Sequence, residues 1–427
     1  MLPRRLLGLA LALLAWLCVP AATAEARRGA CVIGVPGPTC EVWTGTVKTV
    51  GDGDTLDVDV HHDGTRRARR IRVSGIQAME QTEYRADRRT GECHAVDATL
   101  RFEGLVRRSR RRVRLSAADP GTSSRGRLVR HVAVRIGGRW RDVGTIQVTE
   151  GRALWWPLRA EAAPNAAYAL WTQQAAARQL GLFDPDGCGP GPSAASPLQL
   201  WANWDADGDD GANPGGEWVK VRNLDPVNPV ALGGWWVRDS SLRRYVFPPS
   251  AVLAPGATLT VDVGSDGDDV DTFAWGLREP VFDNVTRNAA AMGDGAYLFD
   301  PLGNVRASMI YPCYVACTDP LEGAVAIDVQ FRGAEQVRLT NVSASAVDLG
   351  GRLLRSPPYA YHLQPGTVLA PGETLRLDVR GAPEDDLALR KSWGLANPIL
   401  DNDGDVVELA TYTDLTLACA AWGERSC

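Results

Sequence analysis

The chain has 427 residues, more than one ordinary core accommodates, and a prior of about 150 residues per domain implies two or three. Its net charge of −5 hides a split: residues 44–184 hold 25 Lys and Arg against 16 Asp and Glu, whereas residues 185–427 hold 17 against 33. A basic front half suits a polyanion such as nucleic acid, and an acidic tail fits solubility, calcium or repulsion from anionic surfaces. No stretch beyond the first residues approaches the roughly 18 uninterrupted apolar residues that a membrane span needs.

In chain order, Arg4 and Arg5, the apolar run 6–17 and Ala22-Thr23-Ala24 read as a secretory signal cleaved after Ala24. Cys18 is discarded with it. A secreted monomer, extracellular or in the cell envelope, is expected. After a short segment (25–43), eight cysteines remain, and an even count in an exported chain argues for disulfides rather than zinc or thiol chemistry. Sequence proximity pairs Cys31 with Cys40, Cys93 with Cys188, Cys313 with Cys317 and Cys419 with Cys427.

Residues 43–50, 55–60 and 69–73 alternate as strands, 87–106 and 166–180 read as helices, and 127–136 is a further strand. Short strands with helices between and after them predict a small α+β β-barrel over 44–184. Within VGDGDTLDVDV (50–60), Asp52-Gly53-Asp54 is a turn, and Asp57 and Asp59 form the outward face of a strand whose inner face is Leu56, Val58 and Val60.

The glycine, proline and serine of 185–197 mark a linker. Beyond it the chain repeats itself: VKVRNL at Val219 returns as VRLTNV at Val337, VLAPGATLTVDV at Val252 as VLAPGETLRLDV at Val368, and WGLREPVFDN at Trp275 as WGLANPILDN at Trp393. Alternating strands between Pro-Gly and Gly-Gly turns predict two tandem all-β sandwiches, over 198–317 and 318–427. The pattern LGGWWVRD, YVFPPS, LAPG resembles the lamin-tail domain, which implies an immunoglobulin-like sandwich. Trp235, Trp275 and Trp393 are expected to pack in its core or corners.

Four islands stand out in the front half: DGDT (52–55), RIRVSGIQAME (70–80), SSRGRLVRHVAV (123–134) and GTIQVTEGRALWW (144–156). In this order and spacing they resemble staphylococcal nuclease, an OB-fold barrel with helices that cuts DNA and RNA phosphodiesters with Ca²⁺. The resemblance implies that Asp54 binds Ca²⁺, that Arg72 and Arg127 are catalytic arginines and that Glu80 is the general base. It places Gln77 where the family has a second calcium-ligand aspartate, and Ala78 where a backbone carbonyl serves the metal. A neutral amide in place of a carboxylate implies weaker calcium binding. Trp155 and Trp156 lie near the family's base-contacting tyrosines and could stack a base.

The residue types suit the chemistry. Arginine forks grip phosphate oxygens at any physiological pH, a carboxylate can take a proton from water, and no histidine pair stands at catalytic spacing. Singly, each has a plainer reading: Asp-Gly as a turn, Arg72 as a solvated strand residue, Glu80 as a helix-entry acid with Glu83 as a rival base. The basic run 106–115 is either a solvated helix end or a backbone-binding patch. The acidic stretch 205–218 is either a loop calcium site or a plain acidic loop, since it lacks the final glutamate of an EF-hand. The expected function is a secreted Ca²⁺-dependent nuclease of low sequence specificity. Its rivals are a non-catalytic nucleic-acid-binding protein and a surface adhesion protein led by the sandwiches.

Overall fold

The computed structural model describes residues 27–80, 92–191, 196–264, 269, 271–285, 292–382 and 387–427. The expected signal segment and Glu83 lie outside them. Strand Thr39–Val50 organises the front half. Its first part pairs with Arg112–Ala117 and its second with Thr55–Val60. Gly45, where both pairings overlap, is required by close approach, because a Cβ there would lie 2.4 Å from Val58 Cγ1. The order Thr39–Val50, Thr55–Val60, Arg69–Val73, Arg127–Ile136, Arg112–Ala117 returns to its start, which closes a five-stranded barrel. Leu56, Val58 and Ile71 fill it, fully buried; Asp57 and Asp59 face outward to Thr49 and Lys48.

Among the described residues three helices flank the barrel: α1 (Ala95–Arg108), α2 (Val143–Thr149) and α3 (Asn165–Ala177). The helix expected from residue 87 begins only at Ala95, because His94 takes a left-handed conformation (φ 65°) beside the disulfide-bonded Cys93; residues 87–91 are outside the description. α2 lies in a stretch too short and mixed for periodicity to find. Its N-cap is Asp142, whose carboxylate accepts from Thr145 N at 2.7 Å. The basic run divides. Arg107 and Arg108 end α1 in solvent, whereas Arg114 is buried in a barrel strand and bonds Ser116 Oγ and the Ala30 carbonyl.

Each half of the repeat is a sandwich of the same topology. In the first, the order is Leu198–Asn203, Trp218–Asn223, Thr258–Asp262, Thr272–Ala274 in one sheet and Arg244–Val246, Trp236–Arg238, Asp294–Phe299, Val305–Tyr311 in the other. The second repeats both orders from Val325–Gln330 to Thr416–Ala421. Glu217 and Glu335 hold equivalent buried places, each accepting from two backbone N–H groups (Val281 and Phe282; Ile399 and Leu400). Trp235 and Trp393 are core residues as expected, while Trp275 is only half-buried.

All eight cysteines pair as proximity predicts. Cys93–Cys188 joins the start of α1 to the linker, which is further pinned by Asn304 of the first sandwich: its Oδ1 accepts from Cys188 N and its Nδ2 donates to the Gly189 carbonyl. The barrel core continues into that sandwich through Trp236, Tyr297 and Phe299. No helix among the described residues is long and apolar enough to cross a membrane.

Candidate functional site

Antiparallel pairing of Thr55 with Arg72 sets the geometry, since it brings the residue before Thr55 against the arginine. Asp54 is 3% exposed; its Oδ2 lies 3.1 Å from Arg72 Nη1 and accepts from Ala78 N at 2.8 Å, and its Oδ1 accepts from Thr55 Oγ1. The turn before it is held by Asp52, whose Oδ1 accepts from Asp54 N. Gly53 is needed there because a Cβ would lie 2.7 Å from both Ala78 Cβ and Ala98 Cβ. Gln147 of α2, fully buried, donates to the carbonyls of Gly53 and Ala98 and so locks the turn to α1. Sequence patterning carried no signal for Gln147.

Arg72 is also buried. It donates to the Val73 carbonyl and to Gln77 Oε1 at 2.7 Å, and its guanidinium lies 5.0 Å from the ring centre of Trp156. A guanidinium can only donate, so the Gln77 oxygen must face Arg72. The Gln77 nitrogen therefore faces the other way, donating to the Ala78 carbonyl at 2.8 Å and to Glu80 Oε1 at 3.2 Å. Glu80 is half-buried at the cleft edge, and burial followed by the charges of Asp52 and Glu92 pushes its carboxyl above the usual range. Arg127 comes from the neighbouring strand. A two-residue hairpin, Arg125-Gly126, both at positive φ, places it at a strand start with Nη1 3.2 Å from Thr55 Oγ1.

The two tryptophans part ways. Trp155 is fully buried with its indole N–H donating to Asn165 Oδ1, so it offers no face to a base. Trp156 lines the cleft. Strand Ala153–Trp155 pairs with Ile76–Ala78, and alternation turns one ring into the core and the next toward Arg72.

The donor set does not fit a calcium ion as arranged. Calcium takes six to eight oxygens, but the Asp54 carboxylate already has three donors, and the Ala78 carbonyl and Glu80 face the Gln77 amide nitrogen. Burial pushes the Asp54 carboxyl up, against the pull of Arg72. Among the described residues, three His, Cys, Asp or Glu ligand atoms gather only at Cys93, His94 and Cys188, where the two sulfurs are bonded to each other. The acidic stretch 205–218 is used structurally: Asp205 and Asp210 accept from the Asn284 amide, and Asp207 accepts from Ala360 N of the second sandwich.

Arg72, Gln77, Glu80, Arg127 and Trp156 line one cleft of about 560 Å³, and half of its sixteen lining residues come from the first sandwich. These include Arg238, Arg243, Arg244 and Trp275, which sequence reasoning left out of the site. A signal existed in RDSSLRR (238–244), three arginines within seven residues of the acidic half.

Residues 200–312 match the family model of the lamin tail domain, so the first sandwich is a lamin-tail domain. No curated protein matches the chain.

Proposed function

We propose that the protein is an exported phosphodiesterase that hydrolyses DNA or RNA with little sequence preference, a nuclease of the type its barrel resembles. One observation carries this reading: Arg72 and Glu80 of one stretch and Arg127 of another, about fifty residues on, line a single cleft. Glu80, its carboxyl raised by burial, takes a proton from water; the water oxygen bonds to phosphorus, the ester P–O bond breaks, and the departing oxygen is protonated from solvent. Arg127 and Arg72 face the phosphoryl oxygens, where negative charge grows. Trp156, stacked on Arg72, offers its other face to a base. Backbone contacts of this kind read no sequence.

No step passes through Ca²⁺, because the Gln77 amide nitrogen donates toward the oxygens a cation would need. Hydrolysis is therefore expected to persist in chelator. In Gln77→Asp, which restores the second carboxylate, it should become calcium-stimulated. No difference in calcium response between the two proteins would show that Gln77 does not govern the metal. The four disulfides fit an oxidising compartment and an exported chain.

A second reading, nucleic-acid binding without cleavage, is favoured by the hydrogen bond from Gln77 that occupies one Glu80 oxygen. Incubating purified protein with labelled single-stranded DNA and RNA, alongside Glu80→Gln, separates the two. Cleavage lost in the variant supports hydrolysis; binding with no cleavage by the parent chain supports the second reading.

A further inference from the structure

The cleft is bounded on one side by the barrel and on the other by the lamin-tail domain at 200–312. We propose that this domain is the second wall of the substrate groove, gripping the backbone of a single-stranded nucleic acid through Arg238, Arg243 and Arg244 while Trp275, which lines the same cleft as Trp156, serves as a second base platform. The proposal rests on the phosphodiester reading of the barrel and adds to it where the rest of the strand lies.

Arg238 is the central residue of this wall. It is 2% exposed, lines the cleft, and acts on the charge of Glu80. Its bonds go to the Asp239 and Ser240 carbonyls, and no carboxylate among the described residues forms an ion pair with it. The matching residue of the second sandwich, Arg355, shows what this position does when it serves packing alone. Arg355 is paired with Glu408 at 2.8 Å and with Asp414 at 2.6 Å. Register puts Tyr297 of the first sandwich opposite Arg238, where the second has Glu408 opposite Arg355. Asp239 and Glu80 feel the charge of Arg238, yet no described carboxylate reaches ion-pair distance as Glu408 does for Arg355; a buried cation without a direct partner is costly, and the cleft is where a phosphate can supply one.

The neighbours agree. Arg244 lies 4.6 Å over the Trp236 ring and is tethered 3.1 Å from Glu92, at the cleft edge beside Glu80, so its position is fixed relative to the barrel. Arg243 is exposed and held at 2.8 Å by a still more exposed Glu279, a pair that phosphate can displace because surface pairs contribute little. Half-buried indoles on both walls suit unpaired bases, which stack on any π face, rather than a duplex whose bases are already stacked.

The test uses the full chain in a Glu80→Gln background, so that ligand is not consumed, and follows binding of a labelled 12-nucleotide single strand across salt concentrations. Arg243→Ala/Arg244→Ala is expected to weaken binding roughly tenfold at 0.1 M salt and to flatten the plot of log affinity against log salt by about 0.7 for each phosphate that is no longer neutralised. Arg243→Lys/Arg244→Lys should restore the slope, which a purely structural role would not do. If the double alanine variant unfolds, Arg243→Ala alone, at an exposed turn, reads the same slope. Equal affinity and slope in parent and variant overturn the wall. Cleavage by the unmutated chain is scored separately: wall-dependent binding without cleavage defeats the hydrolase and keeps the wall, whereas cleavage with wall-independent binding does the reverse.

Discussion

The two sandwiches share one topology, and their outer faces differ in a way that accounts for the whole arrangement. On the face built around strand Trp236–Arg238, the first presents Trp236, Tyr297 and Phe299, and these join the barrel core; Trp236 and Phe299 stack at 5.4 Å. At the same registers the second presents Leu353, Glu408 and Ala410. Leu353 and Tyr412 instead pack into the core of the first sandwich, where the Trp204 indole N–H donates to the Tyr412 carbonyl at 2.8 Å. One fold is therefore used twice, once against the barrel and the cleft and once as a buttress behind. The inner faces keep the sandwich, and the outer faces choose the neighbour.

Five measurements would break or sharpen this contrast. The largest effect is expected for Glu80→Gln, which removes the proposed base from the cleft that, among the described residues, the first sandwich and not the second lines. Hydrolysis of single-stranded DNA should fall about 10²–10⁴-fold, and unchanged cleavage would place the chemistry elsewhere. The activity of the parent chain should rise with pH through the raised titration of Glu80, since the proposed base acts in its ionised form. Next, Phe299→Ala installs the residue that the second sandwich carries at this register. Emptying a fully buried ring site should cost about 3–5 kcal/mol in urea unfolding, and a loss below about 1 kcal/mol would mean that the aromatic face does not dock the barrel.

A smaller, pH-dependent effect is expected at Glu217. Burial raises its carboxyl to about 8, above its unfolded value. The folded state therefore binds the extra proton, so this contribution is complete below about pH 4.5 and is lost as pH rises through 8. The urea midpoint should decline from pH 5 to 8.5, and less steeply in Glu217→Gln; parallel declines would assign the slope to other acids. The smallest effect belongs to the junction of the sandwiches. Trp204→Phe removes one buried hydrogen bond and should cost about 1 kcal/mol, and a neutral result would show that the junction does not depend on it.

Much of this was legible beforehand, because it rests on local patterns. Alternation in TLDVDV placed Leu56 and Val58 inward, the repeat at Val219 and Val337 announced two copies of one fold, and cysteine proximity paired all eight sulfurs. The gathering of Arg72, Glu80 and Arg127 in one cleft is what the resemblance to staphylococcal nuclease implied. Trp155 was misjudged because adjacent strand residues point to opposite faces, and nothing in the dipeptide says which ring turns inward.

The sequence by itself determined four of the five barrel strands, the tandem repeat, the cysteine pairs and the residue types that the proposed phosphate chemistry uses, since each depends on period, spacing or side-chain identity alone; the fifth strand, Arg112–Ala117, was hidden in the basic run. Only the tertiary structure decided that the Gln77 amide turns its nitrogen toward Glu80 and the Ala78 carbonyl, that Gln147 pins the aspartate turn, and that a lamin-tail wall closes the cleft. Those are contacts between residues far apart in the chain or hydrogen-bond orientations set by a buried neighbour, and no local pattern encodes either.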